Sequence, residues 1–434
     1  MNLLVTNTRN AQAYGIIRSL RPHAEKIVAT MYGPNRLVAR LSHAANSRYV
    51  DKRYVVPSPV DDWRKGRLQK DNTEREEEYI RAVLRICEHE KIDVVFPSWE
   101  PLVYVFSKNM ERFKARNIVL PIPDFDVLIA AMDKYRVIKT AEQIGFPCPR
   151  TFAVEEASQL DAIERHLEYP ALVKPRFSSG SRGLFLVKDH RELVGRVSAV
   201  ERSRGLPLIQ EYIPGSVVQR FSSIWIVLDQ NYELRAHSLH RKLRTIFRDA
   251  SSEGSAWESF RDDGLIDAAT GLCRALKLTG PVNLQTKRDP RDGRHKLLEV
   301  NPRLGYNFWI PLALGLDTPL LALKVARGER FETIQERTGR TVFISPPQDV
   351  AALGMYLIEL VATKVLRFRP VDPDNSPPAL SEFLRSYKES YAASARVLDP
   401  YFCEFFRDPL VSLMWWAAFG VFSVQKKLQS VLGF

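Results

Sequence analysis

The stretch Leu297-Leu298-Glu299-Val300-Asn301-Pro302-Arg303 decides how this chain is read. Its apolar residues mark a strand, and residues two apart on a strand share a face, so Glu299 and Asn301 can turn two oxygens toward one magnesium ion. Arg303 then stands just past the strand end, within reach of an anionic substrate. Immediately upstream, Asp289-Pro290-Arg291-Asp292-Gly293 is a hairpin turn, which makes 284–288 the partner strand and Gln285 a third oxygen donor. A solvent-facing polar edge would carry the same residue types. Against that, Asn-Pro-Arg ends the strand where a cleft would open.

Moving toward the N-terminus, residues 222–228 and 234–239 read as another strand pair, and 171–174 with 184–187 as a third. Lys174 ends the strand in Tyr169-Pro170-Ala171-Leu172-Val173-Lys174-Pro175. It is followed by the small-residue loop Phe177-Ser178-Ser179-Gly180-Ser181-Arg182-Gly183. A lysine fixed by a strand beside such a loop can hold phosphates through its charge while the loop covers them with backbone N–H groups. A polar hairpin loop with a snorkelling lysine is the plainer alternative. Phosphoryl transfer to a carboxylate needs cations over the phosphates, oxygens for magnesium and exclusion of water, and these residues supply the required types in order.

The first 120 residues alternate short apolar runs at 3–6, 26–31, 54–56, 93–97 and 117–120 with helical patterns at 11–21 and 73–90. That pattern predicts a parallel sheet with crossover helices, a Rossmann-like domain. The turn after its first strand is Asn7-Thr8-Arg9-Asn10, without the glycines that bring a backbone onto a dinucleotide pyrophosphate. At the end of a later strand stands Pro97-Ser98-Trp99-Glu100. There Glu100 is placed to hold a substrate amine, or Ser98 caps a helix and Glu100 lies on the surface.

Several further segments complete an ordered set: Asp133-Lys134, Gly145-Phe146-Pro147-Cys148-Pro149 and Gln210-Glu211-Tyr212-Ile213-Pro214-Gly215. Together with the lysine, its loop and the Leu-Glu-Val-Asn-Pro-Arg strand, this set resembles the ATP-grasp superfamily. Within it the chain is most similar to carbamoyl phosphate synthetase, biotin carboxylase and carboxylate-amine ligases. The resemblance spans about residues 130 to 330. It implies α/β and α+β architecture: a Rossmann-like pre-ATP-grasp domain (1–120), a two-lobed ATP-grasp domain (121–335) and a helical C-terminal extension (336–434).

By the same resemblance, ATP phosphates would meet Lys134, Lys174 and the loop residues Ser179, Gly180, Ser181 and Gly183. Glu211, Tyr212 and the backbone of Ile213 would read the adenine edge. Gln219 would take the place of the acid that holds the ribose hydroxyls in relatives. Gln285, Glu299 and Asn301 would surround Mg2+, and Arg303 would stabilise the transferring phosphoryl group or the substrate carboxylate. Arg241, in His240-Arg241-Lys242-Leu243-Arg244, is the choice for a tetrahedral intermediate's charge; a solvated strand end is its alternative.

The remaining composition sets limits. With 45% hydrophobic and 26% charged residues the chain is globular, and four isolated cysteines suggest neither disulfides nor a zinc site. Net charge +12 suits anionic partners, but no basic run with interleaved aromatics points to nucleic acid. The start MNLLVTNTRN has no signal-peptide pattern, which leads to a cytoplasmic expectation. An apolar run at 409–424 contains Trp415 and Trp416 and is followed by Lys426 and Lys427. It falls short of the roughly twenty residues a spanning helix needs; it fits packing on the core, a homodimer contact, or peripheral contact with the inner face of a membrane, with a true span as the remaining alternative. The expected activity is ATP-dependent joining of a small carboxylate and an amine through an acyl phosphate. The rivals are a carbamoyl-phosphate-type enzyme forming carboxyphosphate and an inactive nucleotide-binding scaffold at a membrane.

Overall fold

The computed structural model describes residues 1–33, 39, 41–59, 71–178, 183–218, 220–246, 254–334, 339–364, 377–393, 396–398 and 407–414. Ser179, Gly180, Ser181, Gln219 and most of the apolar run at 409–424 lie outside them. Among the described residues no helix is long and apolar enough to cross a membrane.

Three sheets organise the chain. The first is parallel, in the order β3-β2-β1-β4, with β1 Asn2–Thr6, β2 Lys26–Met31, β3 Lys52–Val55 and β4 Val94–Pro97. Leu3, Leu4 and Val5 are fully buried, as strands covered on both faces require. The helix Glu74–Glu90 starts at a capping box, in which Glu76 N–H donates to Thr73 Oγ1 and Thr73 N–H donates to the Glu76 carboxylate. The run at 117–120 forms only a single parallel bridge, Val94 to Val119, instead of a fifth strand. Ser98 caps no helix: its hydroxyl donates to the carbonyls of Thr6 (2.6 Å) and Asn7 (3.1 Å), pinning the ends of β1 and β4 together.

The second sheet runs β5-β8-β6-β7, all antiparallel, from β5 Thr151–Ala153, β6 Ala171–Pro175, β7 Phe185–Val187 and β8 Pro207–Glu211. Its core is Val173, Val187 and Ile209 against Leu193, Val197 and Val200 of the helix His190–Arg204. The short β5 and β8 carry no strong alternation, and neither stands out in the sequence.

The third sheet has seven strands in the order β13-β12-β9-β10-β11-β14-β15. They are β9 Phe221–Leu228, β10 Leu234–Thr245, β11 Gly254–Ser259, β12 Gly280–Arg288, β13 His295–Asn301, β14 Val342–Ile344 and β15 Arg396–Leu398. Leu284, Ile224, Leu239 and Val300 turn one face onto the helices Lys134–Gln143 and Asp263–Ala275. The C-terminal extension is therefore not purely helical, because β14 and β15 extend this sheet.

A buried ion pair fastens that extension. Arg244 of β10 donates from Nε and Nη2 to both oxygens of Asp349 (2.9 and 2.8 Å), in the helix Pro346–Lys364. Its Nη1 donates to Ser386 O and Ser390 Oγ, and the guanidinium lies 4.0 Å from the Tyr387 ring centroid. Both side chains are nearly water-free, at 3% and 1% exposure, so removing one partner strands the other charge. Arg244→Met is expected to destabilise the protein by about 3–5 kcal/mol, read as an early loss of the helices Pro346–Lys364 and Leu380–Tyr391 in thermal and urea unfolding.

Candidate active site

The site is assembled from the second and third sheets and the start of the helix Lys134–Gln143, and is closed by Glu100, which opens the helix Glu100–Lys108 after β4. Lys174 stands near the end of β6 with its whole side chain buried, and its ammonium donates to Gln210 Oε1 on β8 at 2.8 Å. Gln210 in turn donates from Nε2 to Thr151 Oγ1 (2.7 Å), which fixes the amide so that its oxygen faces the lysine. Burial, reinforced by the nearby charge of Lys134, pushes the Lys174 ammonium down to about 7. Glu299 works in the opposite direction.

Lys134 opens its helix immediately after the cap residue Asp133. One Asp133 oxygen accepts from the N–H groups of Tyr135 and Arg136, and both accept from Arg176 at 2.7 Å. That anchored cap aims Lys134 at the start of the small-residue loop after β6, where its ammonium donates to the Ser178 carbonyl and, at 3.2 Å, to Ser178 Oγ. Burial lowers its pKa as well; Glu299 and Glu100 oppose the shift and Arg303 adds to it. Thus two desolvated ammonium groups and the carboxylates of Glu299 and Glu100 share one electrostatic neighbourhood.

On the third sheet, β12 and β13 pair Gln285 with Glu299 and Asn283 with Asn301. Asn301 donates to Glu299 Oε1 (3.0 Å) and accepts from Arg303 Nη2 (3.1 Å), so the three residues form a continuous polar row. Gln285, Glu299 and Asn301 thus fall on one side, as the two-residue spacing requires. Their amide and carboxylate oxygens are the hard donors that suit Mg2+. Gly183, at the far end of that small-residue loop, has φ +77°, and an added Cβ would meet Arg204 and Pro175 within 3 Å.

Arg303 is held by Glu100, whose carboxylate accepts from Nε (2.6 Å) and Nη2 (2.5 Å). The carboxylate expected to hold a substrate amine, or to lie on the surface, is instead committed to this arginine. Arg241 also falls elsewhere. The antiparallel register pairs it with Ser222 and puts it on the face opposite Gln285, where it binds Glu258 at 2.6 Å. The β10 residues on the Gln285 side are His240 and Lys242, and Lys242 lies 3.8 Å above the Phe221 ring.

The linker after β8 carries the proposed base-reading residues. Glu211 accepts from Arg291 (2.5 Å) and from Arg150 N–H (3.0 Å), so its carboxylate is already engaged. Tyr212 and Ile213 follow, and Ile213 is buried with its carbonyl accepting from Lys287 at 2.6 Å. In the sequence Gln210 stood only as the first residue of its segment, without a role, and Lys287 was not singled out. Only the two-residue step from Gln285 to Lys287 offered a signal for the latter.

The fold has counterparts among solved structures. The biotin carboxylase of Campylobacter jejuni, solved as a β,γ-ATP complex, aligns with a TM-score of 0.62 at 16% identity, covering 79% of this chain and 74% of that one. A family model described as ATP-grasp in the biosynthetic pathway with Ter operon matches residues 236–344. The chain has an ATP-grasp-like fold. A second structure with this ATP-grasp fold is the biotin carboxylase domain dimer of the Hydrogenobacter thermophilus 2-oxoglutarate carboxylase, solved with MgADP, ADP and bicarbonate. It gives a TM-score of 0.63 at 15% identity, with 79% of this chain and 73% of that one covered. Among curated proteins, the carbamoyl phosphate synthase large chain of Sulfurisphaera tokodaii is 21% identical over 381 residues, 81% of this chain and 33% of the relative. The N-terminal section of the corresponding large chain from Methanopyrus kandleri is 23% identical over 275 residues, 60% and 48% of the two chains. The chain therefore spans between a third and a half of the length of the curated relatives it matches.

The buried lysine has a measurable cost. In the unfolded chain Lys174 binds its proton up to its ordinary pKa of 10.5, whereas the folded protein releases it near 7. Below pH 7 the folded state must hold a desolvated charge, and wild-type stability gains from this group as pH rises from 7 toward 10.5. Lys174→Met is expected to raise the melting temperature by several degrees at pH 6, with the advantage over wild type shrinking steadily above pH 7. A pH series of thermal unfolding curves checks both the sign and the window.

Proposed function

We propose that this protein is an ATP-dependent carboxylate–amine ligase working with MgATP through an acyl phosphate. The observation that carries the proposal is the convergence of buried Lys134 and Lys174 on Glu299, at the end of the strand that also offers Asn301 and leads to Arg303. Cations that are dry before a ligand arrives are already organised for phosphates, which bring the negative charge that restores their protons. Gln285, Glu299 and Asn301 would hold magnesium, which supplies charge neutralisation between the phosphates.

In this reading Lys134 and Lys174 bind phosphate oxygens, and the loop containing Ser179, Gly180, Ser181 and Gly183 covers them. Glu211, Tyr212 and Ile213 border the base, and Gln219 meets the ribose. Arg303, positioned by Glu100, steadies the carboxylate as one of its oxygens attacks the γ-phosphorus and ADP leaves. The amine then attacks the acyl carbon, phosphate departs with the C–O bond, and the amine's proton passes to solvent. Arg241 is not part of this sequence.

The names of the relatives favour a second reading, in which bicarbonate is the carboxylate and carboxyphosphate the product of the first step. One assay addresses both. Purified protein is given MgATP with pooled amino acids and small carboxylates, or with bicarbonate alone, and ADP release is followed. Amine-dependent release that falls at least about 100-fold in Glu299→Ala and Lys174→Ala supports the ligase. Release that needs only bicarbonate supports the second reading. Absence of release, with no thermal shift on adding MgATP, contradicts both.

A further inference from the structure

The β12–β13 hairpin does more than carry metal-type oxygens. It grips the linker between the two lobes at two points. Lys287 lies two residues beyond Gln285 on the same strand and face, and its register partner on β9 is Phe221. The side chain is buried, its ammonium donates to the Ile213 carbonyl at 2.6 Å, and it lies 5.2 Å from the Tyr212 ring centroid. A charged donor on a buried carbonyl at this distance is among the stronger hydrogen bonds a protein forms.

The second grip is on Glu211. Arg291, in the hairpin turn, donates to Glu211 at 2.5 Å and also to Asp289 at 2.5 Å. Asp289 is fully buried and takes Lys296 as a second cation at 2.6 Å; these partners hold its carboxyl well below the usual range. The turn is therefore an ionic unit with little freedom, and it fixes the linker at residues 211 and 213 together.

We propose that Lys287 is a nucleotide-positioning residue: it latches the linker to the metal-bearing hairpin, so that the backbone at 211–213 is preset for the base when the metal and phosphate groups are bound. This deepens the ligase reading and rests on it. The latch makes the base end and the phosphate end of the site one rigid unit, because Gln285 and Lys287 belong to the same strand. Its loss leaves the chemical groups in place and loosens only the linker.

The test uses the full chain and MgATP as probe. Lys287→Met is expected to weaken calorimetric MgATP binding, and to raise the KM for ATP, by about tenfold, with kcat within about twofold of wild type. Lys287→Arg, which keeps a charged donor, should restore most of the affinity. Arg291→Met cuts the second grip from a partly exposed position and should weaken binding at least about threefold; it carries the test if Lys287→Met does not fold. Unchanged affinity in the folded Met variants, or failure of Lys287→Arg to rescue, overturns the latch while leaving the ligase reading intact. A wild-type protein that binds no MgATP removes the ligase reading itself, and the latch with it.

Discussion

Two ammonium groups held out of water opposite a strand-borne carboxylate impose the order seen around them. Lys134 and Lys174 belong to different elements, a helix start and a strand end, and both lose proton affinity through burial. Each is tied down by oxygens that carry no full charge: Ser178 for Lys134 and Gln210 for Lys174. Glu299 is near enough to moderate both charges without forming an ion pair with either. A direct pair would neutralise the lysines, whereas a polar partner leaves their charge available to an incoming anion.

The supporting contacts reach through all three sheets. Asp133 caps the helix of Lys134 and binds Arg176 next to β6, so the two lysines are set by a single anchor. Glu100, at the carboxyl end of the first sheet, holds Arg303, 203 residues away in the chain. The first sheet is thereby part of the site's construction. The hairpin of β12 and β13 joins the metal-type oxygens to the linker, and Arg244 with Asp349 binds the C-terminal helices onto the same large sheet.

Much of this was legible in the sequence. The strand at 297–303 and its partner at 284–288 showed their register through a well-formed turn, and the register placed Gln285, Glu299 and Asn301 together. The buried runs of β1, β2 and β4 and the helix at 73–90 were equally plain. What the sequence hid were facts of pairing across long separations. Arg241 and Lys242 are adjacent, and only their register against β9 and β11 decides which one faces the site. Glu100 looked available until Arg303 was brought to it. Gln210 sits on a strand too short to advertise itself, and nothing in the strand at 284–288 showed that Lys287 would reach the Ile213 carbonyl. β14 and β15 escaped notice because three-residue strands at a sheet edge have no period to detect.

The account rests on a carboxylate oxygen becoming bonded to the γ-phosphorus of ATP. Incubation with MgATP, the amine and the 18O-labelled form of whichever carboxylate supports ADP release, followed by mass analysis of the phosphate, tests this directly. The account predicts one 18O atom per phosphate released, in step with ADP and absent from Glu299→Ala reactions. Phosphate free of label while ADP and the joined product accumulate would contradict it.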